Sequence, residues 1–362
     1  MQNYDLSLVL SKFNINAVTS PYGEGHINDT YLAQAESSKY ILQRINHGIF
    51  KEPEKLMQNI VSVTEHLRGK ITTRGGNPVR ETLTVLKTLD GKDYCKDDNG
   101  NYFRMYIFVE DTNTYQAVDS PRQLYNSARA FGRFQNDLAD FPANTLHETI
   151  LNFHNTGSRF NDFLASVKND KAGKKSKVEA EINFAVERER NTSIIVDALK
   201  NDEIPLRVTH NDTKLNNVLF DSTTDEGICV IDLDTVMPGS LLYDFGDSIR
   251  FGASTAAEDE KDLSKVECSM ELFEAFTKGF LEELGSITAN ELELLPFGAK
   301  MMTYECGIRF LADYLDGDTY FKTHYPEQNL DRCRTQFKLV ADMENKMEQM
   351  KGVVRKYAAD IR

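Results

Sequence analysis

The sequence predicts an α+β fold in two lobes: a small, β-rich N-terminal lobe over residues 1–110 and a larger, mainly helical C-terminal lobe over residues 111–362. Length, composition and a change in hydrophobic period predict it. The 362 residues exceed the roughly 100–200 that one domain typically holds. Hydrophobic residues make up 40% and charged residues 27%, an ordinary globular mixture with material for a sizeable core. Strand-like and helix-like runs mix before Thr112, whereas long helical patterns dominate after it.

Apolar residues near 4–14 recur at helical spacing and predict a short helix. The Gly-bearing turn Pro21–Asn28 follows, then two strand-like runs, Thr30–Ala33 and Lys39–Ile45. Leu56, Ile60, Val63 and Leu67 place a helix over 53–68. Two more strands are expected at 82–87 and 102–109, separated by the turn signal Asp97-Asp98-Asn99-Gly100. Beyond Thr112, helices are expected over 120–139, 158–169, 177–200, 256–284, 288–316 and 329–357, interrupted by one β-rich section, 206–233. The lysine-rich stretch 168–177 reads as a solvated loop or helix end.

Several function classes are disfavoured. The formal charge of −14 opposes non-specific binding to nucleic acid or anionic lipid. The five cysteines, Cys95, Cys229, Cys268, Cys306 and Cys333, show no CxxC spacing, which argues against a zinc site or a disulfide framework. The start Met1-Gln2-Asn3-Tyr4-Asp5 lacks a signal-peptide pattern, and no run approaches the roughly 18 apolar residues of a membrane span. A cytoplasmic protein with no membrane, nucleic-acid or obligatory protein partner is expected.

The informative segment is Leu206–Phe220, which contains His210, Asp212, Lys214 and Asn217 as H-x-D-x-K-x-x-N and leads into a strand. A second apolar strand follows and ends at Asp232. Phosphoryl transfer asks a protein mainly for positioning and charge neutralisation. A carboxylate must orient the attacking hydroxyl and take its proton, a cation must meet the γ-phosphate, and two hard oxygen donors must hold Mg²⁺. Asp212 (base), Lys214 (cation), and Asn217 and Asp232 (metal ligands) supply that set, with ATP and Mg²⁺ as the implied cofactors. His210 is expected to brace the loop. The triplet Asp244-Phe245-Gly246 is a literal DFG, but it stands before a helix-like run. Asp244 is therefore expected to cap a helix or tie down the catalytic loop. The set points to a protein-kinase-like fold.

Upstream, Gly23, Gly25 and Asn28 form G-x-G-x-x-N, a candidate phosphate cover, because glycine lets backbone N–H groups approach phosphate oxygens. The strand 39–45 lacks a lysine in the place where one is expected to touch the α- and β-phosphates. Gln43 and Arg44 are the candidates, and Arg44 is preferred for its charge. Glu65 is a candidate helix partner, with a solvated surface position the preferred reading. The run Tyr106–Glu110, with Phe108 and Val109 at its centre, has the place and polarity of an interlobe hinge for adenine.

Five segments, PYGEGHIN (21–28), YILQRIN (40–46), PLRVTHNDTKLNNVLF (205–220), IDLDTVMPGSLLYDFGDSIRFGAST (231–255) and ECGIRFLADYLDGDTYF (305–321), resemble the aminoglycoside phosphotransferase and choline kinase superfamily. Within it, the N-acetylhexosamine 1-kinases are the most similar. The resemblance spans about Pro21 to about Val340. It implies transfer of the ATP γ-phosphate to the anomeric hydroxyl of N-acetylglucosamine or N-acetylgalactosamine, giving the α-1-phosphate. It also implies that Asp212, Arg309 and Tyr320 meet the sugar. The plain alternative for Arg309 is an ion pair with Asp313 or Glu305. The alternative functions are a kinase for another small alcohol, such as choline, homoserine or an aminoglycoside, and a nucleotide-binding pseudokinase.

Overall fold

The computed structural model describes residues 4–23 and 27–359. The N-terminal lobe runs α1 (Leu6–Lys12), β1 (Val18–Pro21), β2 (Asp29–Gln34), β3 (Lys39–Ile45), α2 (Pro53–Thr73), α3 (Pro78–Glu81), β4 (Cys95–Lys96) and β5 (Tyr102–Ile107). Its strands form one antiparallel sheet in the order β1-β2-β3-β5-β4. Strand alternation divides the residues between two faces. Leu42, Phe103 and Met105 pack with Val9, Leu10 and Phe13 from α1 in a small outer core. Ile45 and Tyr106 turn the other way and join Leu56, Ile60, Val63 and Leu67 of α2 in a core that continues into the C-terminal lobe.

The chain passes between lobes at Phe108–Asp111, and β6 (Thr112–Asn113) already pairs with residues Phe220 and Asp221 of the C-terminal lobe. The C-terminal lobe holds α4 (Pro121–Asp137), α5 (Thr156–Asn169), α6 (Glu179–Val186), α7 (Ile194–Lys200), β7 (Arg207–Thr209), β8 (Val218–Asp221), β9 (Gly227–Val230), β10 (Met237–Gly239), α8 (Leu241–Gly252), α9 (Met270–Glu282), α10 (Ala289–Asp316) and α11 (Gln328–Ala358). Helix α10 is central, packing on α5, α8 and α11. It opens with a Thr288–Glu291 capping box and stops at Gly317, whose φ of 99° lies in the left-handed region that glycine tolerates. No helix of the described residues is long and apolar enough to cross a membrane.

The structure revises several element boundaries. Residues 82–87 form no strand; Val85 makes an isolated bridge to Tyr106. The helix expected over 177–200 is broken into α6 and α7 by a 3₁₀ turn at Glu189–Asn191. Residues 256–269 stay outside α9, which begins after Ser269, whose side chain accepts the Leu272 N–H as its N-cap. Helical periodicity registers apolar spacing but not such caps. The lysine-rich stretch has a structural task. Lys171 lies 3.1 Å from Asp316 and Lys174 2.9 Å from Asp318, so two cations meet the negative C-terminal end of α10.

Candidate active site

The loop after β7 is held from below by α8. Asp244 accepts the backbone N–H of His210 at 2.9 Å and of Asn211 at 2.8 Å, and Gln135 Nε2 donates to it at 2.6 Å. Asp247 accepts the Thr213 N–H at 3.0 Å. Ser240, not Asp244, caps α8. Phe245 is fully buried among aromatic rings. A Cβ on Gly246 would lie 2.6 Å from the Gly298 carbonyl oxygen, so the third residue of the literal DFG is a close contact between α8 and α10. The whole triplet is thus interior scaffold. His210 Nε2 lies 2.8 Å from the Ile231 carbonyl, to which it donates, while its Nδ1 accepts the Asp212 N–H at 3.3 Å. The ring bridges the catalytic loop to the segment leading into Asp232.

The loop brings Asp212, Lys214 and Asn217 together. Lys214 Nζ is 2.8 Å from Asp212 Oδ1, and Asn217 Nδ2 donates to the Asp212 carbonyl at 2.8 Å and to Oδ2 at 3.2 Å. Burial works to raise the Asp212 pKa, but Lys214, helped by His210 and Arg250, outweighs it and holds the carboxylate below its ordinary value. Asp212 in turn raises the Lys214 ammonium. The Ile231 N–H donates to the Asn217 carbonyl at 2.9 Å, tying the loop to the end of β9. Asp232 follows with a left-handed φ of 59° and an accessible side chain. Its place in the cleft, where protein removes part of its solvation, then the charges of Asp234 and Asp212, push its pKa up to about 7.

These groups fit Mg²⁺. Asn217 spends its amide N–H on Asp212, which leaves Oδ1 free to ligate, and no described residue donates a hydrogen bond to Asp232. A carboxylate crowded by like charge is relieved by a divalent cation. No group of three or more His, Cys, Asp or Glu side chains forms a metal cluster among the described residues. One amide oxygen and one carboxylate suit a cation that takes its remaining ligands from phosphate and water.

The N-terminal residues are distributed unevenly. Gly23 has φ 73° and open space where a Cβ would stand, whereas Gly25 lies outside the described residues. Asn28 Nδ2 donates to Asp234 Oδ2 at 2.6 Å. The Phe108 N–H is taken by the Lys39 carbonyl at 3.1 Å, and the Val109 carbonyl accepts from Thr112 Oγ1 at 3.1 Å. The expectation for Arg44 is corrected by the strand pleat. Arg44 sits on the α1 face, 3.6 Å from Asp29 and over the Tyr4 ring, while Gln43 faces the cleft. The cation on the cleft side is Arg104 of β5, in register with Gln43 and 2.5 Å from Asp234. Glu65 is exposed on α2. Arg104 and Asp234 were missed by sequence reasoning. Their available signals were an arginine inside the apolar run Tyr102–Ile107 and the Asp-x-Asp at 232–234.

Arg309 and Tyr320 mark the opposite end. Arg309 forms no ion pair with Asp313 or Glu305, because both are occupied. Glu305 receives His154 at 2.8 Å and Thr156 at 2.6 Å. Asp313 accepts the backbone N–H groups of Thr319, Tyr320 and Phe321 at 2.8–2.9 Å. The Arg309 guanidinium instead lies 5.6 Å from the ring centres of Phe153 and Phe321. Arg159, which the sequence did not single out, approaches the same Phe153 ring at 6.0 Å and donates to the Phe153 carbonyl. Burial, then the charge of Arg309, lowers its pKa. Tyr320 is 66% exposed and stands edge-on to Phe321. His154 Nε2, 3.2 Å from the Asn211 carbonyl, connects this region to the catalytic loop.

A two-lobed kinase-like fold with this carboxylate, cation and amide set defines a small-molecule phosphotransferase. Residues 18–267 match the phosphotransferase enzyme family, and the chain belongs to it. Its fold is similar to that of a microcompartment-associated aminopropanol kinase, at 16% identity and TM-score 0.62, covering 96% of this chain and 99% of the other. A spectinomycin phosphotransferase in complex with ADP and spectinomycin matches at 15% identity and TM-score 0.58, covering 95% and 97%. Choline kinase from Cryptosporidium parvum matches at 12% identity and TM-score 0.57, covering 96% and 94%.

Proposed function

We propose that this phosphotransferase uses ATP and Mg²⁺ to phosphorylate N-acetylhexosamines at the anomeric hydroxyl, giving the α-1-phosphate. The observation that carries the choice of acceptor is the pair Arg309 and Arg159, which form no ion pair among the described residues and are grouped around Phe153. A cationic acceptor such as choline or an aminoglycoside would be repelled there. A neutral ring rich in hydroxyls offers acceptors to the guanidinium forks and an apolar face to the aromatic rings. Asp212, kept ionised by Lys214, orients the acceptor hydroxyl and takes its proton as the new oxygen–phosphorus bond forms and the bond from the γ-phosphorus to the bridging oxygen breaks, releasing ADP. A weakly basic carboxylate suits the anomeric hydroxyl, the most acidic on a free sugar. Lys214 would meet the transferring phosphoryl group, and Asn217 and Asp232 would hold Mg²⁺, which when bound would neutralise phosphate charge. Backbone groups at Gly23 and Asn28 would cover the phosphates, the Asn28 side chain being spent on Asp234 and Asn46, and the Phe108 carbonyl and Val109 N–H would receive the adenine. The ADP named with the spectinomycin phosphotransferase supports ATP as donor.

The test is a panel of N-acetylglucosamine, N-acetylgalactosamine, choline, ethanolamine and aminoglycosides with ATP and Mg²⁺, read by NMR. Phosphorus coupled to the anomeric proton is expected, with loss of reducing-sugar reactivity. A 6-phosphate, or turnover confined to the amines, would sink the assignment.

Recognition residues should separate by kinetics. Arg309→Ala removes hydrogen bonds from a charged donor, typically about 1.5–3 kcal/mol, and should lower kcat/KM for the sugar roughly 10- to 100-fold. Tyr320→Phe should have a smaller effect in the same direction. The KM for ATP should stay near its original value. A fall in melting temperature with equal effects on both substrates would assign Arg309 to the scaffold instead.

A further inference from the structure

A chain of six polar residues, Thr30, Gln43, Arg104, Asp234, Asn28 and Asn46, links the N-terminal sheet to the loop that bears Asp232. Gln43 Nε2 donates to Thr30 Oγ1 at 3.0 Å, and its Oε1 accepts from Arg104 Nε at 3.0 Å and Nη2 at 2.9 Å. Arg104 Nη1 lies 2.5 Å from Asp234 Oδ1. Asn28 Nδ2 reaches Asp234 Oδ2 at 2.6 Å, and Asn28 Oδ1 accepts the Asn46 N–H at 2.9 Å. Arg104 is 1% exposed and Asp234 3%. A buried ion pair is a poor source of stability, because desolvating both charges offsets their attraction. Its persistence here calls for another explanation.

We propose that Arg104 is a positioning residue for the metal–nucleotide site, holding Asp234, and through it the Asp232 loop and the Asn28 segment, in one geometry against the sheet. The inference rests on the proposed reading of Asp232 as a metal ligand. Asp232 and Asp234 are two residues apart, so fixing one restrains the other. Asp232 occupies a left-handed conformation, one that Asp tolerates better than most non-glycine residues, so the direction of its carboxylate follows how the flanking residues are held. Gln43 stands opposite Arg104 in the β3–β5 register and orients the guanidinium with two hydrogen bonds. Asp234 thereby receives a full-charge partner while Asp232 receives none. One carboxylate is spent on the interlobe link and the other stays available to a cation. The cation missing from β3 at position 43 is thus supplied by the neighbouring strand, and it acts through a carboxylate rather than on the phosphates.

The test compares wild type, Arg104→Lys and the double variant Arg104→Met/Asp234→Asn. Binding of Mn²⁺·ADP is followed by electron paramagnetic resonance and titration calorimetry, alongside melting temperature and both KM values. Arg104→Lys keeps the charge but loses the planar fork. The double variant removes both buried charges and so leaves none unpaired. Both should bind Mn²⁺·ADP about tenfold or more weaker, a loss of roughly 1.4 kcal/mol. The KM for ATP should rise in parallel, with the acceptor KM within about twofold of wild type. Wild-type Mn²⁺·ADP affinity in either variant overturns the proposal. So does a fall in melting temperature that moves the constants for both substrates together. If wild type itself binds no Mn²⁺·ADP, the nucleotide-site reading fails and takes this inference with it; if wild type binds and the variants match it, only this inference fails.

Discussion

Asp212→Asn should lower kcat by about 10²–10⁴-fold, the usual contribution of a positioned base, while nucleotide binding stays close to wild type. The substitution preserves shape. Asn217 can still donate to the residue 212 carbonyl, and the His210 ring can still accept its N–H. What disappears is the carboxylate that Lys214 keeps ionised. Lys214 also loses its partner at 2.8 Å, so its position becomes less defined, and part of the loss should come from that. Single-turnover kinetics with saturating ATP would separate chemistry from binding. Near-normal turnover of a folded Asp212→Asn protein would place the base elsewhere.

The second large effect is a contrast between two aspartates. Asp244→Ala should destabilise the protein by about 3–5 kcal/mol, because it strands the N–H groups of His210 and Asn211 and the Gln135 amide in the interior, at about 1–3 kcal/mol for each unsatisfied group. Burial pushes the Asp244 pKa up, against His210 and the two backbone donors, so these bonds are what keep its carboxylate in place. Asp232→Ala should behave in the opposite way. It removes a carboxylate crowded by Asp234 and Asp212, so the ligand-free protein should be at least as stable, while metal-dependent nucleotide binding is lost. Denaturant unfolding and Mn²⁺·ADP titration on both variants check this directly. Exchanged phenotypes would show that the DFG aspartate holds the metal after all.

The catalytic loop was legible because its chemistry is local. His210, Asp212, Lys214 and Asn217 lie within eight residues, between β7 and β8, so their spacing along the chain already constrains their spacing in space. The helices of the second lobe were legible where an apolar stripe repeats, as in α4, α10 and α11, and blurred where a side-chain cap or a 3₁₀ turn ends the repeat, as at Ser269 and Glu189–Asn191. The acceptor end was only partly legible. Arg309 was visible as a charge on a helix, but Arg159 and Phe153 join it from α5 and the segment before it.

By itself, then, the sequence determined the two-lobed α+β class and the grouping of Asp212, Lys214 and Asn217 on one loop, since hydrophobic period and short-range offsets are properties of the chain. The tertiary structure decided what each remaining charge does. The pleat of β3 turned Arg44 outward and Gln43 inward, and pairing with β5 set Arg104 beside Asp234. The fold over α8 made Asp244 a buried acceptor and left Asp232 accessible. His154 and the turn after Gly317 took Glu305 and Asp313, which freed Arg309. In each case a charged side chain's partner comes from a distant part of the chain, and the cost of burying an unpaired charge selects that partner only once the chain has folded.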